Sequence, residues 1–293
     1  MDRNRRGALR YPDFICIGAQ KAGTTWLDRN LRRHPRLWLP PVKELQYFSQ
    51  LYLPATRKWT TRHRVETATR ILARYIDKTP AGEWDDAHIA RLCDIASGFI
   101  SDDWYGRLFA GVPGGRVCGE ITPDYSTIPE DGIRHIARLS PAVKIVFLMR
   151  DPIERSWSHI RMMANTRHVA DPGELEAMAR SPEQVRRADY SAIIKSWTKI
   201  VPDGHFHIAF TDDIAEQPHR VLEGVCAFLG IRHQERFFRR AEKPVHVGEA
   251  QPMPPSVEAI LKERLRPAYE GIAAQFPEKG GAWMARHFGT PAA

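Results

Sequence analysis

Two short stretches of the 293-residue chain carry residue types suited to gripping anions. The first is Gly18-Ala19-Gln20-Lys21-Ala22-Gly23-Thr24-Thr25. Glycine lets backbone N–H groups curl around an anion, lysine adds a point charge, and two threonines add hydroxyl donors. A helix starting here would add unpaired N–H groups and the positive end of its dipole. The second is Arg150-Asp151-Pro152-Ile153-Glu154-Arg155-Ser156-Trp157-Ser158. Arg150 can bind a phosphate through two parallel N–H bonds, and Ser158, in the helix that follows, can reach the same group. The first loop differs from the nucleoside triphosphate pattern G-x-x-x-x-G-K-[ST], because Lys21 precedes Gly23. Its plainer reading is a βα turn with a solvated lysine and a threonine cap.

The surrounding elements must place both stretches at strand ends. Phe14–Ile17 is an apolar run closed by glycine, read as a buried strand. Thr24 caps the helix that follows, which Pro35 stops by about His34. Lys144–Met149 is the clearest buried strand, so Arg150 stands at its carboxyl end, where open α/β sheets bind ligands. Pro152 suits the first turn of the next helix. Further strands are expected near Arg116–Glu120 and Phe206–Phe210. Helices are expected over Asp85–Ser101, Tyr190–Val201, Gln217–Leu229 and Val257–Ile272, with Pro267 kinking or splitting the last. Leu51–Ala81 reads as basic and irregular, with a helix only near Ala68–Tyr75. Alternating strands and helices predict one α/β domain over residues 11–288 with a central parallel sheet, leaving 1–10 and 289–293 as tails.

Composition narrows the class. Hydrophobic residues make up 43% and charged residues 27%, enough apolar material for a soluble globular enzyme. The net charge of +8 suits an anionic ligand, but no basic helix or aromatic-interleaved patch points to nucleic acid. Four cysteines without a CxxC pair read as small buried thiols of a reducing compartment. No apolar run reaches the length of a membrane span, and Met1–Arg10 lacks the apolar core of a signal peptide. A cytoplasmic protein is expected. No metal-ligand spacing is found among the histidines and cysteines.

The loop Q-K-A-G-T-T resembles the phosphosulfate loop of sulfotransferases that use PAPS (3′-phosphoadenosine-5′-phosphosulfate), most closely the branch of bacterial and heparan sulfate enzymes. Arg150 to Ser158 resembles that family's R-[DN]-P-x-x-R-x-x-S motif. The resemblance implies that Gln20, Lys21, Ala22, Gly23, Thr24 and Thr25 bind the 5′-phosphosulfate, with Lys21 on the bridging oxygen. It implies that Arg150 and Ser158 bind the 3′-phosphate, and that PAP is the product. Arg155 is either a ligand or a surface ion pair with Glu154 or Asp151. His159 reads as a packed core histidine.

Val42-Lys43-Glu44-Leu45-Gln46-Tyr47-Phe48 resembles the family's K-E-x-x-[FY]-F segment. By that resemblance Glu44 is the general base and Lys43 supports it; otherwise the two form a surface ion pair. Gly119-Glu120-Ile121-Thr122-Pro123 resembles a family strand end, which implies that Glu120 and Thr122 line the acceptor site; otherwise it is a turn fixed by Pro123. Ile121 replaces the lysine of several heparan-type members, a departure that argues against a second catalytic lysine and glycosaminoglycan acceptors. Trp59, Trp84, Trp104 and Tyr105 are candidates for an apolar acceptor pocket or for core. Residues 243–248 and 252–254 are matched to a loop over the nucleotide. The implied reaction passes a sulfuryl group from PAPS to an acceptor hydroxyl, less readily an amine, without metal. The competing classes are a nucleotide kinase or other NTPase, and a non-catalytic PAP-binding protein.

Overall fold

Apolar runs bounded by turns fix the sheet. In the computed structural model, which describes residues 8–243, 245 and 251–289, Phe14–Gly18 forms β1, every residue of it buried. The chain then runs through α1 (Thr24–Leu31), the short β2 (Leu37–Trp38), α2 (Tyr47–Tyr52), α3 (Arg57–Lys78), α4 (Asp86–Ala96) and α5 (Asp102–Phe109) to β3 (Val117–Ile121). Helix α6 (Glu130–Leu139) leads into β4 (Lys144–Met149), followed by α7 (Pro152–Arg167), α8 (Pro172–Arg180), α9 (Pro182–Ala188) and α10 (Tyr190–Thr198). Then come β5 (Phe206–Phe210), α11 (Thr211–Glu216), α12 (Pro218–Leu229), α13 (Pro255–Gln275) and α14 (Pro277–Phe288).

Among the described residues the strands form one parallel sheet in the order β2-β3-β1-β4-β5. Phe14 pairs with Gly119 on one side and Lys144 on the other, so β1 is central. The chain leaves β1 toward β3 and β2, and leaves β4 toward β5. The strand order therefore reverses between β1 and β4, and the crevice beyond their carboxyl ends is the expected ligand site of such a sheet. Both anion motifs open onto it.

The structure corrects several expectations. Thr24 is the first helical residue of α1 and Gly23 is the cap, with no side-chain cap bond. Gly23 has φ +91, and a Cβ there would lie 3.0 Å from Ile214 Cδ1, so this turn requires glycine. Helix α3 spans 22 residues, far longer than expected. Its buried stripe is Thr60, Arg64 and Ala68, a helical spacing without an apolar side chain larger than alanine. The segment expected to be one helix over Asp85–Ser101 ends at Ala96, and Ser101 instead caps α5 by accepting from the Trp104 N–H. Pro267 lies inside α13 without splitting it; the buried residues around it, Leu265, Ala268, Tyr269 and Ile272, hold the helix across the missing N–H. Cys16, Cys118 and Cys226 are buried free thiols, whereas Cys93 is exposed on α4. No described helix is long and apolar enough to cross a membrane.

Candidate active site

A cleft of about 1270 Å³ lies at the β1–β4 crevice. Gln20, Lys21, Gly23, Thr24, Thr25, Glu44, Arg150 and Ser158 all line it. Two loops far apart in sequence are tied together here. The Ala19 N–H donates to Leu148 O at 2.6 Å, and Arg150 Nη1 donates to Lys21 O at 3.2 Å. Thr211 Oγ1, at the end of β5, lies 3.0 Å from Ala22 O and 3.1 Å from Met149 O. Sequence reasoning missed Thr211; its place just after a strand of the sheet was the available signal.

The first loop faces the cleft with its backbone. The first main-chain bond of α1 runs from the Leu27 N–H to Gly23 O, so the N–H groups of Thr24, Thr25 and Trp26 have no intrahelical acceptor. They are anion donors at the positive end of the helix. Lys21 Nζ sits 3.9 Å from Met162 Sδ, and the described residues offer it no ion pair. Burial, then Arg150 and Arg161, hold its ammonium below the usual lysine range. Crowded cations in a half-buried cleft are an arrangement that an anion relieves.

Backbone conformation marks the same place. Among the described residues, four non-glycine residues have positive φ, and three of them are Lys21 (+72), Glu44 (+65) and Gln46 (+57). Each costs about 1–3 kcal/mol and is typical of functional sites. Glu44 is fixed through its N–H to Ile121 O at 3.2 Å. Its Oε1 accepts from Lys43 Nζ at 2.6 Å and its Oε2 from Gln46 Nε2 at 3.3 Å. Lys43 itself is not among the lining residues, nor is Ala22, whose carbonyl accepts from Thr211 Oγ1.

Other assignments do not come to the cleft. Glu120 and Thr122 are buried within the domain and do not line it. Glu120 accepts from the Tyr105 hydroxyl, from Thr122 Oγ1 at 2.8 Å and from the Leu45 N–H. It therefore braces the Glu44 loop from beneath. Arg155 is neither a ligand nor a surface ion pair: it is wholly buried, and its Nη2 donates to Ser156 Oγ at 2.8 Å and Gln184 Oε1 at 2.7 Å. His159 is packed against Gln184, and burial with Arg155 and Arg187 pushes its pKa down to about 4. Trp104 and Tyr105 are core, and Trp84 is exposed away from the cleft, while Trp59, 47% exposed, lines its mouth. Asn165, Thr166 and Arg161, along α7 beyond Ser158, also line it. Of the loop expected to cover the nucleotide, residues 244 and 246–250 lie outside the described residues; Lys243, Val245 and Gln251 face the cleft.

Burial pushes Glu120 up from 4.5 to about 7, and the sign of its effect on stability follows. Below about pH 4.5 the carboxyl is protonated in both states. Between 4.5 and 7 the unfolded chain ionises while the folded one does not, so stability falls by up to about 3 kcal/mol and then levels off. Glu120→Gln is expected to flatten that slope. Urea unfolding at pH 5 and pH 7.5 checks it; an unchanged difference between the two midpoints would contradict it.

This architecture defines a class: a parallel α/β domain with an anion-binding turn after its central strand and a basic second turn after the neighbouring strand. A sequence model of the Sulfotransferase family matches residues 12–235. The chain belongs to that family. It is 28% identical over 153 residues to the membrane-associated sulfotransferase kil1 of Dictyostelium discoideum, a match that covers 51% of this chain and only 22% of kil1's length. It is 23% identical to mouse (Mus musculus) heparan sulfate glucosamine 3-O-sulfotransferase 6 over 94% of this chain and 73% of that protein. Among solved structures, a sulfotransferase from Alicyclobacillus acidocaldarius shares the fold with a TM-score of 0.64 at 22% identity, over 94% of this chain and 99% of that one. The sulfotransferase domain of the curacin biosynthetic pathway aligns with a TM-score of 0.54 at 15% identity, over 88% and 99% of the two chains.

Proposed function

We propose that the protein transfers a sulfuryl group from PAPS to an acceptor hydroxyl and releases PAP. The observation that carries this is one cleft lined at once by the Lys21 loop, by Arg150 with Ser158, and by Glu44. A nucleotide with phosphates at both its 5′ and 3′ positions needs two cationic ends, and the cleft supplies them from two strand ends. The α1 N-terminus with Lys21, Thr24 and Thr25 takes the 5′-phosphosulfate. Arg150 and Ser158 take the 3′-phosphate. Glu44 removes the acceptor proton as the acceptor oxygen attacks sulfur. The S–O bond to the 5′-phosphate breaks, and its electron pair settles on the phosphate oxygen beside Lys21. The acceptor is assigned as a hydroxyl because the mouse relative is named for 3-O-sulfation; its skeleton is left open by 23% identity. Trp59 at the mouth offers that skeleton a flat apolar face.

Calorimetry tests the nucleotide half. PAP is expected to bind and Mg-ATP to bind at least 100-fold more weakly; tight Mg-ATP uptake without heat from PAP would favour the NTPase reading instead. Arg150→Ala is expected to weaken PAP about 100-fold, the loss of a two-bond contact to a charged group, and adenosine 5′-phosphosulfate less than 5-fold. Equal weakening of the two ligands would remove Arg150 from the 3′-phosphate site. Turnover by the wild-type protein separates an enzyme from a PAP-binding protein.

A further inference from the structure

Glu44 is gripped from behind by a chain of buried groups that begins 143 residues away in sequence. Gln46 is wholly buried. Its Nε2 donates to Asp124 Oδ2 at 2.8 Å and to Glu44 Oε2 at 3.3 Å. Asp124 is itself buried and lies 2.7 Å from Arg187 Nη2. Arg187 is anchored in turn by Glu183, at 2.7 Å. Among the described residues Gln46 Oε1, which is buried, has no hydrogen-bond partner.

That unpaired oxygen is informative. Leaving a buried carbonyl unsatisfied costs stability, and the side chain cannot avoid the cost by flipping. Reversed, the amide would set Oε1 against two carboxylate oxygens that can only accept. Arg187 Nη2 sits 2.7 Å from Asp124 Oδ1, and a carboxylate paired with a cation can only accept. The pair therefore dictates which end of the amide faces Glu44.

We infer that Gln46 is a positioning residue: the Arg187–Asp124 pair locks its amide so that Nε2 holds Glu44 Oε2 and aims Oε1 at the acceptor. The two oxygens of Glu44 differ accordingly. Oε2 is held by a side chain with no exposure. Oε1 is held by Lys43, a part-exposed, flexible side chain that an acceptor hydroxyl can displace. Oε1 is then the atom that takes the proton. The inference rests on Glu44 being the base, and its test is built so that the two ideas fail separately.

The test is a double-mutant cycle on the full chain. Gln46→Met keeps the length of the side chain and removes both the donor and the orphan oxygen. The readouts are PAP release from PAPS, with water and with benzyl alcohol as acceptor probes, PAP affinity by calorimetry, and melting temperature. Gln46→Met is expected to lower kcat about 10- to 100-fold, the loss of one hydrogen bond to a charged group, with PAP Kd within twofold. In a Glu44→Gln background it is expected to have no further effect, because it acts through the lost carboxylate. A kcat within twofold of the wild type, or losses that multiply in the double variant, would overturn the positioning role. A wild-type rate in Glu44→Gln alone would instead remove the base. Gln46→Asn, whose amide falls a methylene short of both Asp124 and Glu44, is expected to show the same loss and serves should the methionine variant not fold; full activity there overturns the role equally.

Discussion

Lys21→Ala is expected to lower PAPS turnover about 10³-fold while leaving the fold intact. The size follows from what preorganised charge contributes where negative charge develops: removing one such donor costs about 10²–10³ in kcat, and in the proposed reaction Lys21 stands beside the bridging oxygen. Among the described residues Lys21 Nζ forms no ion pair and reaches Met162 Sδ at 3.9 Å, so the fold should survive its loss. Burial and the neighbouring Arg150 and Arg161 depress its pKa. A lysine whose folded pKa lies below its unfolded value carries its full penalty below the folded pKa; stability from this group rises as pH climbs through the folded pKa. Alanine removes the penalty. The free variant should therefore melt no lower than the wild type, and the rise in melting temperature caused by saturating PAP should shrink. Melting curves with and without PAP, beside a PAP-release assay, give both readings. An unchanged turnover rate would take Lys21 out of the mechanism, and a collapse of the free variant would show that the side chain has a structural load.

The parts of this site that sequence exposes are those encoded by short-range pattern. The strands β1 and β4 are apolar runs with a glycine or a charge at the end, so the positions of Lys21 and Arg150 at strand ends followed from local order. Ser158 followed from helical reach beyond Pro152. The parts that sequence hides depend on contacts between distant segments. Glu120 reads as a site residue because its segment resembles a family strand end, yet its carboxyl turns inward to Tyr105 and the Leu45 N–H. Arg155 reads as a ligand or as a surface ion pair, yet Gln184 on α9 accepts from it inside the domain. Helix α3 escaped the apolar periodicity because Arg64, which stacks over Trp104 with 5.2 Å between its guanidinium carbon and the ring centroid, fills a core position with a charged residue. Gln46 and Asp124 meet across 78 residues, and no spacing rule links them.

Glu44→Gln is expected to reduce turnover about 10²–10⁴-fold, the range of general-base catalysis, with PAP affinity within twofold of the wild type. The substitution is nearly isosteric, and the left-handed backbone at residue 44 suits glutamine as it suits the existing Gln46. The loop is held by main-chain and neighbouring groups that do not involve the acid: the Glu44 N–H on Ile121 O, Arg64 Nη1 on Leu45 O at 3.4 Å, and Gln46 on Asp124. What changes is the capacity to accept a proton. Lys43, outside the lining of the cleft, lies 2.6 Å from Oε1 and still finds an oxygen in the amide. The proposed nucleotide site is the Lys21 loop and Arg150, which do not touch Glu44 by any hydrogen bond or ion pair among the described residues. Binding and chemistry should therefore separate: calorimetry with PAP unchanged, PAP release from PAPS nearly lost. A loss of both together would mean that the loop had moved and that the carboxylate serves the structure of the cleft; a loss of neither would leave the acceptor proton to some other group or to solvent.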